Sequence, residues 1–300
     1  MFDVIIVGAG PAGLSAGIYT VRSGKSALIL EGKSYGGQII NTPDIENYPG
    51  IKNISGFEFA TGLYEQATSL GAEVKYEQAV SIEDKGDIKI VNTEQGSYEC
   101  KAVILATGAK NRLLGIEKEK EFVGYGISYC ATCDGAFYRN KDVAVVGGGN
   151  TAIEDALFLT NYCNKVYVIH RRDTFRADPK DVEKLKSKDN VEFVMNSTVE
   201  KILGEKSVEG IEIKDKNTKE TKNINVTGIF VAVGQEPDNQ MFSDLVELDE
   251  SGYIIAKEDC MTNVKGIYTA GDCRTKSVRQ LTTAAADGAV AALAACAIID

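Results

Sequence analysis

The sequence predicts an α/β protein built from two similar units, the second inserted into the first. A short apolar strand runs into a glycine-rich turn and a helix-compatible stretch at residues 2–13, FDVIIVGAGPAG, and this design returns at 142–152, DVAVVGGGNTA. Each copy also contains a later apolar strand that ends on glycine, AVILATG at 102–108 and GIFVAVG at 228–234. This order of elements is typical of Rossmann-like, three-layer dinucleotide-binding domains.

The C-terminal segment indicates an insertion rather than two domains in succession. It contains one more strand that meets a glycine and an acid, YTAGD at 268–272, but no third glycine fingerprint. The segment therefore has to complete an earlier domain, and the second unit lies within the first. Gly, Pro and charged residues accumulate near 111–124 and 235–244, where we expect the two linkers.

Length, charge and hydropathy exclude several functional classes. Three hundred residues are enough for two domains with separate cores. The net charge of -10 repels phosphate backbones and anionic lipid, so we expect no nucleic-acid or membrane partner. The longest apolar segment, 288–299, is shorter than the roughly 18 residues of a membrane span and predicts a buried helix. The N-terminus lacks a basic leader, so we expect a cytoplasmic location.

The glycine fingerprints indicate two dinucleotide sites. Gly8, Gly10 and Gly13 form the first fingerprint, and Gly147 and Gly149 with an alanine in third place form the second. The missing side chains let backbone amides approach a pyrophosphate, whose charge the helix N-terminus stabilises. A single such motif could be an ordinary loop, but two copies in matching strand context make the interpretation specific.

The residue at the end of each second strand distinguishes the two sites. Glu31 lies 23 residues after Gly8, where a carboxylate accepts hydrogen bonds from a ribose diol, so the first site suits FAD or NAD. A solvated surface glutamate is the alternative. His170 occupies the matching place in the second unit.

Three arginines follow this histidine in the segment HRRDTFRA, 170–177. Arg171, Arg172 and Arg176 replace the acid, and guanidinium groups there predict binding of the 2'-phosphate of NADPH in preference to NADH. The alternative is a solvated basic face, which short arginine runs usually are.

Cys130 and Cys133 are the two cysteines, of seven in the chain, that stand close together. Their spacing suits a disulfide but closes too small a loop to restrain the unfolded chain much. Zinc needs four ligands, and the chain has no second CxxC and only one histidine, so no metal is expected. Two buried structural thiols remain an alternative to a redox dithiol that cycles by thiol-disulfide exchange. Asp134 follows at once and is either a proton shuttle or a turn residue.

Together the motifs resemble bacterial low-molecular-weight thioredoxin reductases, which are NADPH-dependent, FAD-containing pyridine nucleotide-disulfide oxidoreductases. The resemblance runs end to end and rests on GAGPAG, GGQ at 36–38, ENYPG, ATGA, CATCDG, GGGNTA, HRRDTFRA, AGD and RQ. It implies an FAD-binding domain of residues 1–112 plus 242–300 and an inserted NADPH-binding domain, 113–241, that carries the CxxC pair. It also implies thioredoxin or a thioredoxin-like protein as partner, a homodimer, and rotation of the domains during turnover.

The resemblance assigns roles to individual residues. Cys133 would face the flavin, Cys130 would attack the partner disulfide, and Asp134 would be the proton donor. FAD would be bound by Gly8, Gly10, Gly13, Glu31, Gln38, Asn47, Ala106, Asp272 and Gln280, and NADPH by Gly149, Asn150, Thr151, Arg171, Arg172 and Arg176. The same motifs add as cofactor-binding positions Pro11, Ala12, Gly37, Thr107, Gly108, Gly147, His170, Gly271 and Arg279. Cys273 departs from the family pattern and receives no role.

Three other functions compete with this one. A flavin reductase of the same fold could take electrons from ferredoxin, but the second fingerprint and HRRDTFRA argue against it. The reductase component of a peroxide-detoxifying pair would carry an extra N-terminal dithiol domain, whereas this sequence starts directly at the first strand. A flavin-binding regulatory or structural protein without turnover is the third alternative.

Overall fold

The computed structural model describes residues 1–299, and its contacts divide the chain into two compact units. The first unit consists of Met1–Lys110 and the segment that begins at Glu236, and the second is Asn111–Gln235. The chain enters and leaves the second unit through two short strands, β7 (Ala109–Asn111) and β16 (Gln235–Pro237), which pair with each other.

The first unit contains a mixed sheet and three helices. Before the insertion its elements are β1 (Phe2–Val7), α1 (Pro11–Arg22), β2 (Ala27–Leu30), α2 (Gly56–Ser69), β3 (Glu73–Lys75), β4 (Ala79–Asp84), β5 (Lys89–Thr93) and β6 (Ser97–Leu105). After the insertion come β17 (Ile267–Thr269) and α6 (Leu281–Ala297).

In the first unit's sheet, β3, β2, β1, β6 and β17 are parallel, whereas β4, β5 and β6 form an antiparallel meander. Strand β17 pairs with β6 through Ile267 and Val103. The C-terminal segment thus completes the first sheet, and the predicted insertion is confirmed. Alternate residues of β1 face two different cores, since Val4 and Ile6 pack with helices α1 and α6, while Ile5 lies in the other core.

The second unit repeats the parallel design. Its elements are β8 (Ile127–Ser128), α3 (Ala131–Asp134), β9 (Asp142–Gly147), α4 (Asn150–Leu159), β10 (Lys165–Ile169), α5 (Pro179–Lys186), β11 (Val191–Val194), β12 (Ser197–Leu203), β13 (Gly210–Asp215), β14 (Thr221–Ile224) and β15 (Gly228–Ala232). The parallel sheet has the order β11-β10-β9-β15-β8, and β12, β13 and β14 form a separate antiparallel sheet. One core contains residues of both sheets and the other contains residues of α4 and α5, which makes three layers.

Most of the predicted linker regions belong to one unit or the other. Phe122, within 111–124, is buried in the core of the second unit, and Phe242, within 235–244, is buried in the core of the first. Large aromatic side chains in a core fix the backbone that carries them, so the crossing itself is short.

The C-terminal helix α6 is buried on one face only. Ala291, Ala292 and Ala295 are inaccessible, but Leu293 is 51% exposed. The prediction of a helix at 288–299 is therefore confirmed, but the prediction that it is buried holds for one face only. Within residues 1–299, every helix falls short of the length and hydropathy that crossing a bilayer requires.

Candidate redox and dinucleotide sites

The two neighbouring cysteines form a disulfide at the start of α3. Cys130 is the residue before the helix and Cys133 lies in its single turn, with 5.3 Å between their Cα atoms. Both residues are partly exposed. A disulfide in this position is accessible to an attacking thiol, and opening it requires no unfolding of a core.

Ser128, a residue that the sequence did not single out, holds Cys130 in place. Its buried hydroxyl accepts a hydrogen bond from the Cys130 amide at 3.0 Å and donates to the Cys130 carbonyl at 3.2 Å. The Thr132 hydroxyl lies 3.4 Å from the Cys130 sulfur. The backbone of the residue predicted to attack the partner is thus fixed by a neighbouring side chain.

A buried carboxylate fastens the residue that precedes Cys130. The Tyr129 hydroxyl donates to Glu119 at 3.0 Å, and Glu119 also accepts the backbone amides of Leu114 and Gly115, each at 2.8 Å. Glu119 is 2% exposed, so these bonds are shielded from water. The CxxC segment is therefore tied to the loop that opens the second unit.

Two carboxyl groups near α3 have raised pKa values. Burial raises the pKa of Asp134, and a hydrogen bond with Ser128 opposes that shift. Burial also raises the pKa of Asp155 on α4, to about 7, with the charge of Glu154 adding to the shift and a backbone hydrogen bond from Ala131 opposing it. Both groups can therefore hold a proton closer to neutral pH than an ordinary aspartate. Asp155 was not predicted.

Among residues 1–299, no three His, Cys, Asp or Glu side chains are grouped so that they could hold a metal ion. Each of the two cysteine sulfurs in the CxxC segment is instead bonded to the other.

The first glycine turn is closed by backbone contacts. Gly8 has a φ of 109°, and a Cβ there would lie 2.3 Å from the Ala106 carbonyl oxygen; a Cβ on Gly13 would lie 1.8 Å from the Gly8 oxygen. Gly10 instead faces Gly37, and a Cβ on Gly37 would lie 3.4 Å from the Gly10 Cα. The backbones of two predicted FAD motifs thus meet in a cradle that side chains would fill, which fits a pyrophosphate.

Glu31 lies against the same turn. Its carboxylate accepts hydrogen bonds from the amides of Ala9 and Lys33, each at 2.9 Å. A carboxylate has further lone pairs, so it can still accept hydrogen bonds from a ribose diol.

Other predicted FAD residues are brought together from distant parts of the first unit. Asn47 donates to the Gln280 side chain at 3.3 Å, and Gln38 donates to the Ala109 carbonyl. Thr107 donates to the buried Asn239 at 2.8 Å.

Asp272 follows β17 and has a buried carboxyl oxygen, Oδ1, that lacks a hydrogen-bond partner within residues 1–299. Burial raises its pKa, and Lys276 and Arg279 oppose this shift. A buried polar atom normally has a partner, so this oxygen fits a hydroxyl group of bound FAD.

Two residues beside Asp272 have well-defined surroundings. Arg279 donates to the Asp272 carbonyl at 3.4 Å and lies over the Tyr253 ring at 4.1 Å. Cys273 is fully buried, with its sulfur 3.3 Å from the Thr269 hydroxyl. The environment of Cys273 is thus that of a packed structural thiol.

The second glycine turn lies between β9 and α4. A Cβ on Gly147 would lie 2.3 Å from the Ala232 oxygen, whereas a Cβ on Gly149 would meet nothing within 4 Å, so Gly149 borders open space where a pyrophosphate fits. The Asn150 side chain accepts the Asp178 amide at 2.9 Å, and Thr151 is exposed beside it at the start of α4.

His170 lies beneath this turn and is buried. Its ring stacks on Phe175 at 5.3 Å and occupies the space that a Cβ on Gly148 would need, 2.1 Å from that position. Its Nε2 lies 3.0 Å from the Thr174 carbonyl, and burial lowers its pKa. His170 is therefore placed to shape the turn, and its direct contact with NADPH stays a prediction.

The three arginines after β10 are exposed. Arg171 and Arg172 directly follow His170, and the Arg176 amide donates to the Gly148 carbonyl at 2.8 Å. This bond fixes the backbone of the arginine segment to the glycine turn, and contact of the three arginine side chains with NADPH stays a prediction.

The two glycine turns lie in separate Rossmann-like units, and one unit carries a disulfide. These features define an oxidoreductase that transfers electrons between a pyridine nucleotide and a disulfide. The chain belongs to the pyridine nucleotide-disulphide oxidoreductase family, which it matches over residues 2–288. Within that family it belongs to the thioredoxin reductases. These enzymes use FAD and NADPH.

Similar proteins cover the chain along its length. The thioredoxin reductase of Treponema pallidum is 43% identical over 100% of this chain and 97% of its own length. The bifunctional thioredoxin reductase/thioredoxin of Mycobacterium leprae is 42% identical over 97% of this chain and 64% of its own length. The crystal structure of thioredoxin reductase from Streptococcus pyogenes is 43% identical, with a TM-score of 0.95 over 98% of this chain and 97% of that one.

Proposed function

We propose that the protein is an NADPH-dependent thioredoxin-disulfide reductase. The observation that carries this proposal is the accessible Cys130–Cys133 disulfide at the start of α3, in a chain that has two separate dinucleotide turns. In the overall reaction, NADPH, a proton and oxidised thioredoxin give NADP⁺ and thioredoxin with two thiols. Two electrons pass from NADPH to the thioredoxin disulfide. The Cys130–Cys133 disulfide is reduced first and forms again when thioredoxin is reduced.

The residues of the first unit bind and orient FAD. Gly8, Gly10 and Gly13 admit the pyrophosphate, Glu31 accepts the adenosine ribose, and the free oxygen of Asp272 accepts a further hydroxyl. Bound there, FAD would supply the two-electron carrier between NADPH and the disulfide.

The two cysteines at the start of α3 react with the partner by thiol-disulfide exchange. Once the disulfide is reduced, Cys130 attacks the partner disulfide and forms a mixed disulfide, and Cys133 then displaces the reduced partner. Asp134 holds the proton that the leaving thiolate needs, because burial favours its protonated form. Ser128 keeps the Cys130 backbone in place during both steps.

The second unit selects NADPH. Gly147, Gly149, Asn150 and Thr151 would hold the pyrophosphate, which the open space at Gly149 supports, and the exposed guanidinium groups after His170 would bind the 2'-phosphate. Charge-assisted hydrogen bonds to a phosphate contribute more free energy of binding than neutral ones, which favours NADPH over NADH.

We further propose that the partner is thioredoxin or a thioredoxin-like protein, that the protein is a homodimer, and that it works in the cytoplasm. The net charge of -10 argues against a nucleic-acid partner. Sedimentation at micromolar concentration tests the homodimer, and a mass near twice the 32.3 kDa of one chain is the expected result.

Anaerobic titration tests the whole proposal. The purified protein should be yellow, and NADPH should bleach its flavin rapidly; added thioredoxin should then restore the colour. Cys130→Ser should still bleach with NADPH but fail to reduce thioredoxin. A flavin that bleaches only with reduced ferredoxin would favour the ferredoxin-dependent reductase, and a protein that takes up no FAD would exclude both enzymes.

A further inference from the structure

A cluster of buried charges surrounds Asp287, in the middle of α6. Its Oδ2 accepts hydrogen bonds from Arg274 Nε at 2.8 Å and Lys276 Nζ at 2.9 Å, while its Oδ1 accepts from Arg274 at 2.8 Å. The side chains of Arg274, Lys276 and Asp287 are 9%, 8% and 10% exposed. Two cations thus share one carboxylate away from water, which leaves a surplus positive charge.

The cluster holds the turn that carries Asp272. The amide of Gly271 donates to Asp287 Oδ2 at 3.0 Å, so this carboxylate accepts four hydrogen bonds in all. Gly271 has a φ of 83°, a conformation that suits glycine, and a Cβ there would lie 2.8 Å from that of Ala12. The backbone of the turn is therefore pressed against the helix that starts at the first fingerprint.

The neighbouring residue on α6 packs against the same helix. A Cβ on Gly288 would lie 2.1 Å from the Ala12 carbonyl oxygen and 2.9 Å from the Ala16 amide. One turn of α6 thus contacts both the segment at Gly271 and the first turn of α1. These two segments contain separate parts of the predicted FAD site.

The carboxylates of Asp287 and Asp272 have opposite surroundings: Asp287 is buried, whereas Asp272 is partly exposed and has one buried oxygen. Asp287 accepts four hydrogen bonds from protein donors, three at Oδ2 and one at Oδ1, whereas Asp272 retains an oxygen without a partner within residues 1–299. A buried carboxylate that is surrounded by protein donors positions those donors. A buried carboxylate oxygen that lacks a donor is placed to accept a hydrogen bond from a ligand.

We propose that Arg274, Lys276 and Asp287 form a positioning cluster for FAD, which fixes the Gly271–Asp272 turn against the first glycine motif and directs the free Asp272 oxygen toward the cofactor. This inference rests on the proposed use of FAD. Burial raises the pKa of Asp272, and the surplus cation opposes this shift by favouring the ionised form, which accepts a hydrogen bond from a hydroxyl. The charged groups that act on Asp272 are Lys276 and Arg279, which favour ionisation, and Asp287, which opposes it.

The test measures FAD affinity of the full-length apoprotein by quenching of FAD fluorescence, together with its melting temperature. Asp287→Asn leaves two buried cations without their carboxylate and should raise the FAD Kd at least tenfold. Asp84→Asn is the matched control, since it removes the carboxylate from another buried lysine of the first unit, Lys89, which is 3% exposed. It should lower the melting temperature without a comparable change in Kd.

The FAD affinity of Lys276→Met is a second test, which stays informative even if the Asp287→Asn protein does not fold. It keeps the Arg274–Asp287 pair but removes the surplus cation. The FAD Kd should rise several-fold, and the pH below which FAD affinity falls should move upward relative to wild type. Lys276→Arg should restore both.

The outcomes separate this inference from the proposed function. Equal Kd changes in Asp287→Asn and Asp84→Asn at equal losses of melting temperature would overturn it, as would a Lys276→Met protein with wild-type affinity and pH dependence. A wild-type protein that binds no FAD would instead overturn the proposed function.

Discussion

Asn239 accepts a hydrogen bond of 2.8 Å from the hydroxyl of Thr107, although 132 residues and the whole inserted unit separate them in the sequence. The Asn239 amide donates in turn to the carbonyls of Gly252, at 2.9 Å, and Cys273, at 2.8 Å. Asn239 is completely inaccessible to water. A single side chain therefore joins the two chain segments that make up the first unit, next to two predicted FAD motifs.

Replacing Asn239 should weaken both stability and FAD retention. Asn239→Ala removes three hydrogen bonds, one buried and two partly buried, which costs about 2–4 kcal/mol. We expect a lower melting temperature and loss of FAD on gel filtration. Asn190→Ala is the control, because Asn190 donates to two carbonyls of the second unit, those of Thr160 and Cys163. Full FAD retention by Asn239→Ala would contradict this account.

Removing the Ser128 hydroxyl should slow exchange with the partner. Ser128→Ala removes the hydrogen bond that the Cys130 amide donates to this side chain, and it removes the bond to Asp134, while the Cys130 carbonyl still accepts the amides of Cys133 and Asp134. The free energy involved, about 1–2 kcal/mol, corresponds to a roughly five- to thirty-fold lower rate of thioredoxin reduction. The rate of flavin reduction by NADPH should not change. Stopped-flow absorbance measures the two rates separately, and Ser187→Ala, an exposed serine of the same unit, serves as control. A slower flavin reduction with normal exchange would disprove the assigned role.

Removing one arginine should change nucleotide preference. Arg171→Ala should raise the KM for NADPH about ten- to a hundred-fold and leave the KM for NADH nearly unchanged, because only NADPH has the 2'-phosphate. Arg139→Ala, which removes another exposed arginine of the second unit, should affect neither. Equal increases in both KM values would remove Arg171 from the phosphate site.

Asp155 should make stability depend on pH. Its pKa is raised to about 7, so between about pH 4 and 7 the folded protein holds a proton that the unfolded chain releases. Stability therefore falls as pH rises through this range, by on the order of 1–3 kcal/mol from this group. Asp155→Asn should melt at a higher temperature than wild type at pH 8 and at the same temperature at pH 4.

The exposed neighbour on α4 provides the control for this pH effect. Glu154→Gln should show a much smaller difference at pH 8, although it removes the charge that adds to the effect of burial on the Asp155 pKa. If Asp155→Asn melted below wild type at pH 8, the carboxyl would be ionised and stabilising, contrary to this account.

The fold was predictable from the sequence because each strand, turn and helix is specified by a pattern of neighbouring residues. The strand, glycine turn and helix at Gly8 and at Gly147 form where predicted, and the duplication implied the insertion that β17 completes. The exposed face of α6 was not predicted, because its run of alanines and other small residues has no amphipathic period to distinguish Ala292 from Leu293.

The supporting residues of the site were not predictable in the same way. Asn239 and Asp287 act through partners that only the folded chain brings near, and isolated Asn and Asp residues are usually surface or turn residues. His170 shows the converse, since its offset matches that of Glu31 but its ring is buried beneath the turn. Sequence spacing gives the position along a strand, whereas packing decides which way the side chain faces.

Intact-mass analysis of the covalent complex with thioredoxin tests most directly which of the two sulfurs attacks the partner. A thioredoxin with a single active-site cysteine, activated as a mixed aromatic disulfide, is offered to the reduced Cys133→Ser and Cys130→Ser proteins. We expect rapid formation of a complex through Cys130 in Cys133→Ser and slow or no formation in Cys130→Ser. The reverse result, or equal rates in the two variants, would contradict it.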